Sequence, residues 1–262
     1  MMKYIANIGA NQTLGIKNQL LSAGDAVFLS PEEILNPGLK TMIRNGVLVL
    51  EKILKPPHKV LIVGCGHSGT MHIAWIFQQL GLDIQHEKIG ADGSAHWGYT
   101  HITRSLLLLT PKFGLSPDTI ILHQVRHPLN VISSVQAMED ETWLEVGARA
   151  AYRERIWNPL DDPHPIRGMK YWILWNAFAE ELASYRYRVE SLPEVFDELL
   201  EKIGMSPQPL PVLPPDTNKH NYSYTYTWDD LYKADDRLCC RVKDLSELYG
   251  YEPVKDMPSI WL

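Results

Sequence analysis

The segment Val60-Leu61-Ile62-Val63-Gly64-Cys65-Gly66-His67-Ser68-Gly69-Thr70 decides how this chain folds. Four consecutive apolar residues, three of them β-branched, describe a strand covered on both faces, as in a parallel sheet. Glycines at 64, 66 and 69 then let the main chain turn sharply and aim its N–H groups inward. In Met71–Leu80 the apolar residues 73, 76, 77 and 80 recur at helical spacing, and Gly81 ends the run. A strand, a glycine-rich turn and a helix in that order make an anion site. The N–H groups point at the ligand, and the helix N-terminus adds partial positive charge.

Downstream the same order repeats. Thr119–Val125 is a second β-rich run that ends at Arg126, and Pro128 opens a helix reaching about Met138. Further helices are expected at 142–156, 169–184, 193–203 and 234–249, with short strands at 82–84 and 185–189. Asp92-Gly93 reads as a turn. The alternation predicts an α/β fold, a parallel β-sheet flanked by helices. Residues 1–55 read differently. Turn signals at Asn11-Gln12-Thr13, Ser22-Ala23-Gly24-Asp25 and Asn36-Pro37-Gly38 separate short apolar runs. Ser30-Pro31-Glu32-Glu33 has the form of a helix N-terminus, and Val47–Leu50 that of a short strand. The expectation is a small N-terminal module over 1–55, a linker at Lys55-Pro56-Pro57, and an α/β domain over 58–262. Residues 204–228, rich in Pro, Tyr and Thr, read as a long ordered loop or lid.

Composition narrows the class. With 262 residues, 45% of them hydrophobic, the chain can bury one medium-sized core, and 21% charged residues exclude wholesale disorder. A net charge of −6 excludes a global basic field, so no nucleic-acid partner is expected. Three cysteines, two of them adjacent and none in a C-x-x-C pair, make neither a disulfide framework nor a zinc site. No metal centre is expected. The first residues lack a leader pattern, and no apolar run reaches the roughly 18 residues a membrane helix needs. The expected setting is soluble and cytoplasmic, without a membrane span.

The spacing Gly64-x4-Gly69 matches phosphate-binding P-loops, but the Gly-Lys-Ser/Thr ending is absent, which disfavours a Walker-type ATPase or kinase. The residues 64–70, followed by an apolar helix ending in Leu80-Gly81, resemble the 5′-phosphosulfate loop of the sulfotransferase family. The resemblance implies a P-loop, sulfotransferase-like fold with 3′-phosphoadenylyl sulfate (PAPS) as donor and adenosine 3′,5′-bisphosphate (PAP) as product. It further implies that the amides of Gly66, His67, Ser68, Gly69 and Thr70, with the hydroxyls of Ser68 and Thr70, hold the 5′-phosphosulfate. The chain departs from the pattern twice: His67 stands where the family has Lys or Arg, and Met71 replaces a second Thr. With an ordinary pKa of about 6.5, His67 would neutralise the leaving group only when protonated, a form that an adjacent phosphate favours.

Arg126, Pro128 and Ser134 resemble the family's 3′-phosphate motif. Pro128 starts the helix at once, Ser134 falls two turns in, and its hydroxyl can face the same phosphate as the Arg126 guanidinium. The motif separates PAPS from ATP. Ends of parallel strands open on the ligand crevice, which makes His86 and Glu87 candidates for the base that takes the acceptor proton, and the resemblance to the family favours Glu87 over His86. His96, Trp97 and His101 read as acceptor-pocket lining or loop packing, and Cys65 as a small loop filler. Tyr171-Trp172-Ile173-Leu174-Trp175-Asn176 reads as a core aromatic stretch. Tyr222–Trp228 reads either as a cover over the adenine or the acceptor or as a packed edge strand. The resemblance spans about 58–251. It favours transfer of a sulfuryl group from PAPS to a hydroxyl or amine. The alternatives are a P-loop small-molecule or nucleotide kinase and a non-catalytic nucleotide-binding or assembly protein.

Overall fold

A computed structural model describes residues 2–16, 19–29, 31–51, 56–212 and 224–254. Ser30, Lys55 and Tyr222, each part of an expectation above, lie outside the described residues. The chain divides into two compact units, Met1–Lys55 with Phe77–Asp83, and Pro56–Ile76 with Ile84–Leu262.

The N-terminal unit is built on strands Met2–Ala6 (β1), Leu14–Ile16 (β2), Gln19–Leu21 (β3) and Ala26–Leu29 (β4), helices Pro31–Ile34 (α1) and Pro37–Arg44 (α2), and strand Leu48–Glu51 (β5). The antiparallel sheet has the order β4-β1-β5, and β2 and β3 form a separate hairpin. Tyr4, paired with Val27 and Leu50, packs with Ile16, Leu21, Leu29 and Leu48 in a small core. Asn36 caps α2 by accepting from the amides of Gly38 at 2.9 Å and Leu39 at 3.4 Å.

The larger unit is α/β. Its strands are Val60–Val63 (β6), Ile84–His86 (β7), Gly93–Ala95 (β8), Ile120–Val125 (β9) and Tyr185–Arg188 (β10). All pairs are parallel, in the order β10-β9-β6-β8-β7. Helix Thr70–Gln79 (α3) follows β6, Arg104–Leu109 (α4) precedes β9, and Pro128–Ser134 (α5) follows it. Asp140–Tyr152 (α6), His164–Leu182 (α7), Leu192–Lys202 (α8), Trp228–Ala234 (α9) and Asp236–Leu248 (α10) complete the layers. Every β6 side chain is fully covered, as its unbroken apolar run requires. Among the described residues no helix is long and apolar enough to cross a membrane.

Three differences from the sequence reading have local causes. The Asp92-Gly93 turn runs straight into β8, a Gly-Ser-Ala strand with no apolar run to announce it. Gly93 sits at φ +144°, and a Cβ there would lie 1.8 Å from the Val60 carbonyl oxygen, so only glycine lets β8 approach β6. Helix α7 begins at His164, five residues before its expected start, because Pro165 suits a helix's first turn. The helix expected over 234–249 is α10, and a short helix that the sequence did not announce, α9, precedes it. Asp235, extended at φ −162°, ends α9 and caps α10 by accepting from the Leu238 amide at 2.8 Å.

Candidate functional site

The site lies where β6 and β9 end. β6 hands over to the 64–70 turn, which passes close to β9: a Cβ on Gly64 would stand 2.4 Å from the Gln124 carbonyl oxygen. Gln124 itself ties the turn down. Its Nε2 donates to the Ser68 carbonyl at 2.7 Å, and the buried Tyr187 hydroxyl donates to its Oε1 at 2.6 Å. Thr100 holds the Gly64 carbonyl at 3.2 Å. Two residues of the turn adopt left-handed backbone, Gly69 at φ +90° and His67 at φ +63°. A non-glycine residue there is strained and is held by its surroundings.

Those surroundings are the residues singled out from sequence. The Arg126 guanidinium donates to the His67 carbonyl at 2.8 Å, so it stands at the mouth of the turn. Its own main chain is anchored by the Trp172 indole, which donates to the Arg126 carbonyl at 3.1 Å. The His67 ring nitrogen Nδ1 lies 2.7 Å from the hydroxyl of Ser134, which is fully buried. Arg126, Ser134 and His67 thus meet in one place, though the first two lie about 60 residues from the third. The N–H groups of Gly69, Thr70 and Met71 have no acceptor among the described residues, as expected for a helix's first turn. The amides of Gly66 and Ser68 are already used. Gly66 donates to the Tyr171 hydroxyl at 2.7 Å, and Ser68 to the Cys65 carbonyl at 3.2 Å. The Ser68 hydroxyl also turns back to the Cys65 carbonyl, at 2.6 Å.

Beside the turn opens a cleft of about 500 Å³. Gly66, His67, Gly69 and Thr70 of the turn line it together with Thr142 and Glu145 of α6, and with His86, Glu87, Trp97 and Tyr171. Ser68, Arg126 and Ser134 stand outside this lining. His86, at the end of β7, points its Nε2 to the Thr70 hydroxyl at 3.1 Å and lies 3.6 Å from the Glu87 carboxylate. Glu87, at φ +56°, is a second non-glycine residue in left-handed backbone on this cleft, and its Oε1 accepts from the Trp97 indole at 2.8 Å. Both base candidates are therefore within reach of a molecule lying against the turn.

The neighbouring histidines pack the loop. His96 stacks on Tyr99 with ring centroids 4.0 Å apart, and its Nδ1 accepts from the Gly98 amide at 3.0 Å. Burial first, and the Arg149 guanidinium second, hold both His96 and His101 down to about 4. Arg149 itself stacks over Trp97 at 5.2 Å and pairs with Glu145. Burial likewise pushes the Cys65 thiol up, and its sulfur rests 3.8 Å from the Trp172 carbonyl, which suits a packing role. Sequence reasoning did not find Gln124, Tyr171 or the α6 lining. An aromatic in a buried helix and a glutamine in a strand carry no local mark of what they touch. Arg104 lies at the start of α4 and donates to the Leu182 carbonyl.

The chain matches no protein-family model, and no curated protein sequence matches it. Among solved structures it is similar to the crystal structure of a sulfotransferase from Alicyclobacillus acidocaldarius. That match has 14% identity and a TM-score of 0.40, and covers 74% of this chain and 96% of the other.

Proposed function

We propose that the chain transfers a sulfuryl group from PAPS to a hydroxyl or amine. The observation that carries this reading is the meeting of the Arg126 guanidinium, the Ser134 hydroxyl and the His67 ring at the 64–70 turn. Beyond its bond to His67, the guanidinium has no further acceptor among the described residues, so part of its planar donor fork is available to an anion. A donor with phosphate at both ends of its sugar suits two seats, the amides of Gly69 and Thr70 at the helix start and Arg126 with Ser134 at the mouth of the turn. An ordinary nucleoside diphosphate would leave the second seat unfilled.

On this reading the acceptor oxygen or nitrogen forms a bond to sulfur while the bridging S–O bond to phosphate breaks. The acceptor's proton passes to Glu87 or His86, and PAP departs with the electron pair of the broken bond. His67 stands by the bridging oxygen. Placement and charge stabilisation then account for the acceleration.

Calorimetry with PAP, ADP and AMP tests the donor. Marked preference for PAP is expected, and Mg²⁺-dependent preference for ADP would replace the reading with phosphoryl transfer. Glu87→Gln keeps the oxygen that accepts from Trp97 while removing the base. It is expected to abolish transfer and to leave PAP affinity within a few-fold. Unchanged turnover would remove Glu87 from the mechanism and leave His86.

A further inference from the structure

Tyr171 has the packing of a core residue. It is wholly buried, and its ring lies 4.7 Å from that of Trp175 and 5.7 Å from that of Trp143. Tyr171 nonetheless lines the cleft beside Gly66, and the hydroxyl is its one polar side-chain atom. There it accepts the Gly66 N–H at 2.7 Å, while its own proton meets no acceptor among the described residues. A buried O–H left unpaired is costly, so such a group marks a place where something polar belongs. The fit with Gly66 is close: a Cβ at that position would lie 2.9 Å from the hydroxyl oxygen.

The arrangement has a chemical consequence. A glycine-rich turn ordinarily aims its amides at an anion, but the Gly66 amide is spent on Tyr171. The hydroxyl takes over that duty beside the turn. Accepting an N–H polarises the phenol and makes it a better donor. We propose that the Tyr171 hydroxyl donates to an anionic oxygen of the group held at the 64–70 turn, which on the sulfuryl-transfer reading is the sulfuryl group in transit. The inference rests on that reading for the identity of the group, and on the turn alone for the presence of an anion. Burial pushes the phenol well above its ordinary range, which keeps the proton in place and excludes Tyr171 as a base.

The test is calorimetry of inorganic pyrophosphate, PAPS and ADP with the wild type, with Tyr171→Phe, and with 3-fluorotyrosine incorporated at 171. Thermal midpoints serve as the folding control. Tyr171→Phe is expected to weaken pyrophosphate and PAPS by about ten- to a hundredfold, the worth of a hydrogen bond to a charged group. Fluorotyrosine is a stronger donor and a poorer acceptor. It is expected to bind at least as tightly as the wild type, whereas a role limited to accepting the Gly66 amide would make it behave like Phe. Equal pyrophosphate binding by the Phe variant, Phe-like behaviour of fluorotyrosine, or no pyrophosphate binding by the wild type overturns the proposal. A wild type that shows the Tyr171 effect with pyrophosphate but does not prefer PAPS over ADP keeps the proposal and removes the sulfuryl reading.

Discussion

Replacing Arg126 by Met removes the guanidinium and keeps most of the side-chain volume. Two interactions change. Without ligand, the His67 carbonyl loses its 2.8 Å donor. One such bond is worth about 1 kcal/mol net, which in a unit of this size lowers the thermal midpoint by about 2–4 °C. With ligand, the second phosphate seat loses its charge. A charge-assisted hydrogen bond contributes about 1.5–3 kcal/mol, so PAP affinity should fall by about ten- to a hundredfold. AMP lacks the 3′-phosphate and should lose no more than a few-fold, the share due to a loosened turn. Titration calorimetry of both nucleotides on wild type and variant reads the difference directly. If PAP and AMP weaken equally, Arg126 only shapes the turn, and the two-seat argument fails. If neither weakens while the midpoint falls, the arginine is structural alone.

Two predictions concern stability. Gly93→Ala forces a Cβ to within 1.8 Å of the Val60 carbonyl at a φ of +144°, which should cost at least about 4 kcal/mol. A denaturation midpoint equal to the wild type would show that β8 does not lie as described. His96 and His101 are held down to about 4 in the folded chain, against about 6.5 when unfolded. Between those values the unfolded chain binds more protons, so stability should be full above pH 6.5 and fall as the pH drops towards 4. Urea midpoints at pH 7.5, 5.5 and 4.5 for the wild type and His101→Gln check this, the variant being expected to show a shallower acid slope. An identical slope would mean that His101 does not titrate with unfolding.

The α/β layout was legible because its signals are local. The Val60–Val63 run can only be a doubly covered strand. The glycines of 64–70 and the proline at 128 mark where strands give way to helices: Gly69 sits at φ +90°, a Cβ on Gly64 or Gly66 would meet a neighbour at 2.4 or 2.9 Å, and Pro128 suits a helix's first turn. Arg126, His67 and Ser134 were named by motif resemblance and His86 and Glu87 by their place after a strand, and the fold brings the first three together and sets the last two beside the cleft. What stayed hidden depends on partners distant in the chain. β8 is a strand because β6 and β7 flank it, not because Gly-Ser-Ala prefers extension.

From the sequence alone came the strand–turn–helix order around β6 and β9, the glycine-rich turn and the residues able to handle charge, since each follows from the chemistry of a few adjacent side chains. Tertiary structure alone decided which donors the turn retains. Folding brings Tyr171 onto the Gly66 amide and Ser134 onto the His67 ring across 105 and 67 residues of chain. A hydrogen bond depends on distance and direction in space, and neither is encoded in separation along the chain.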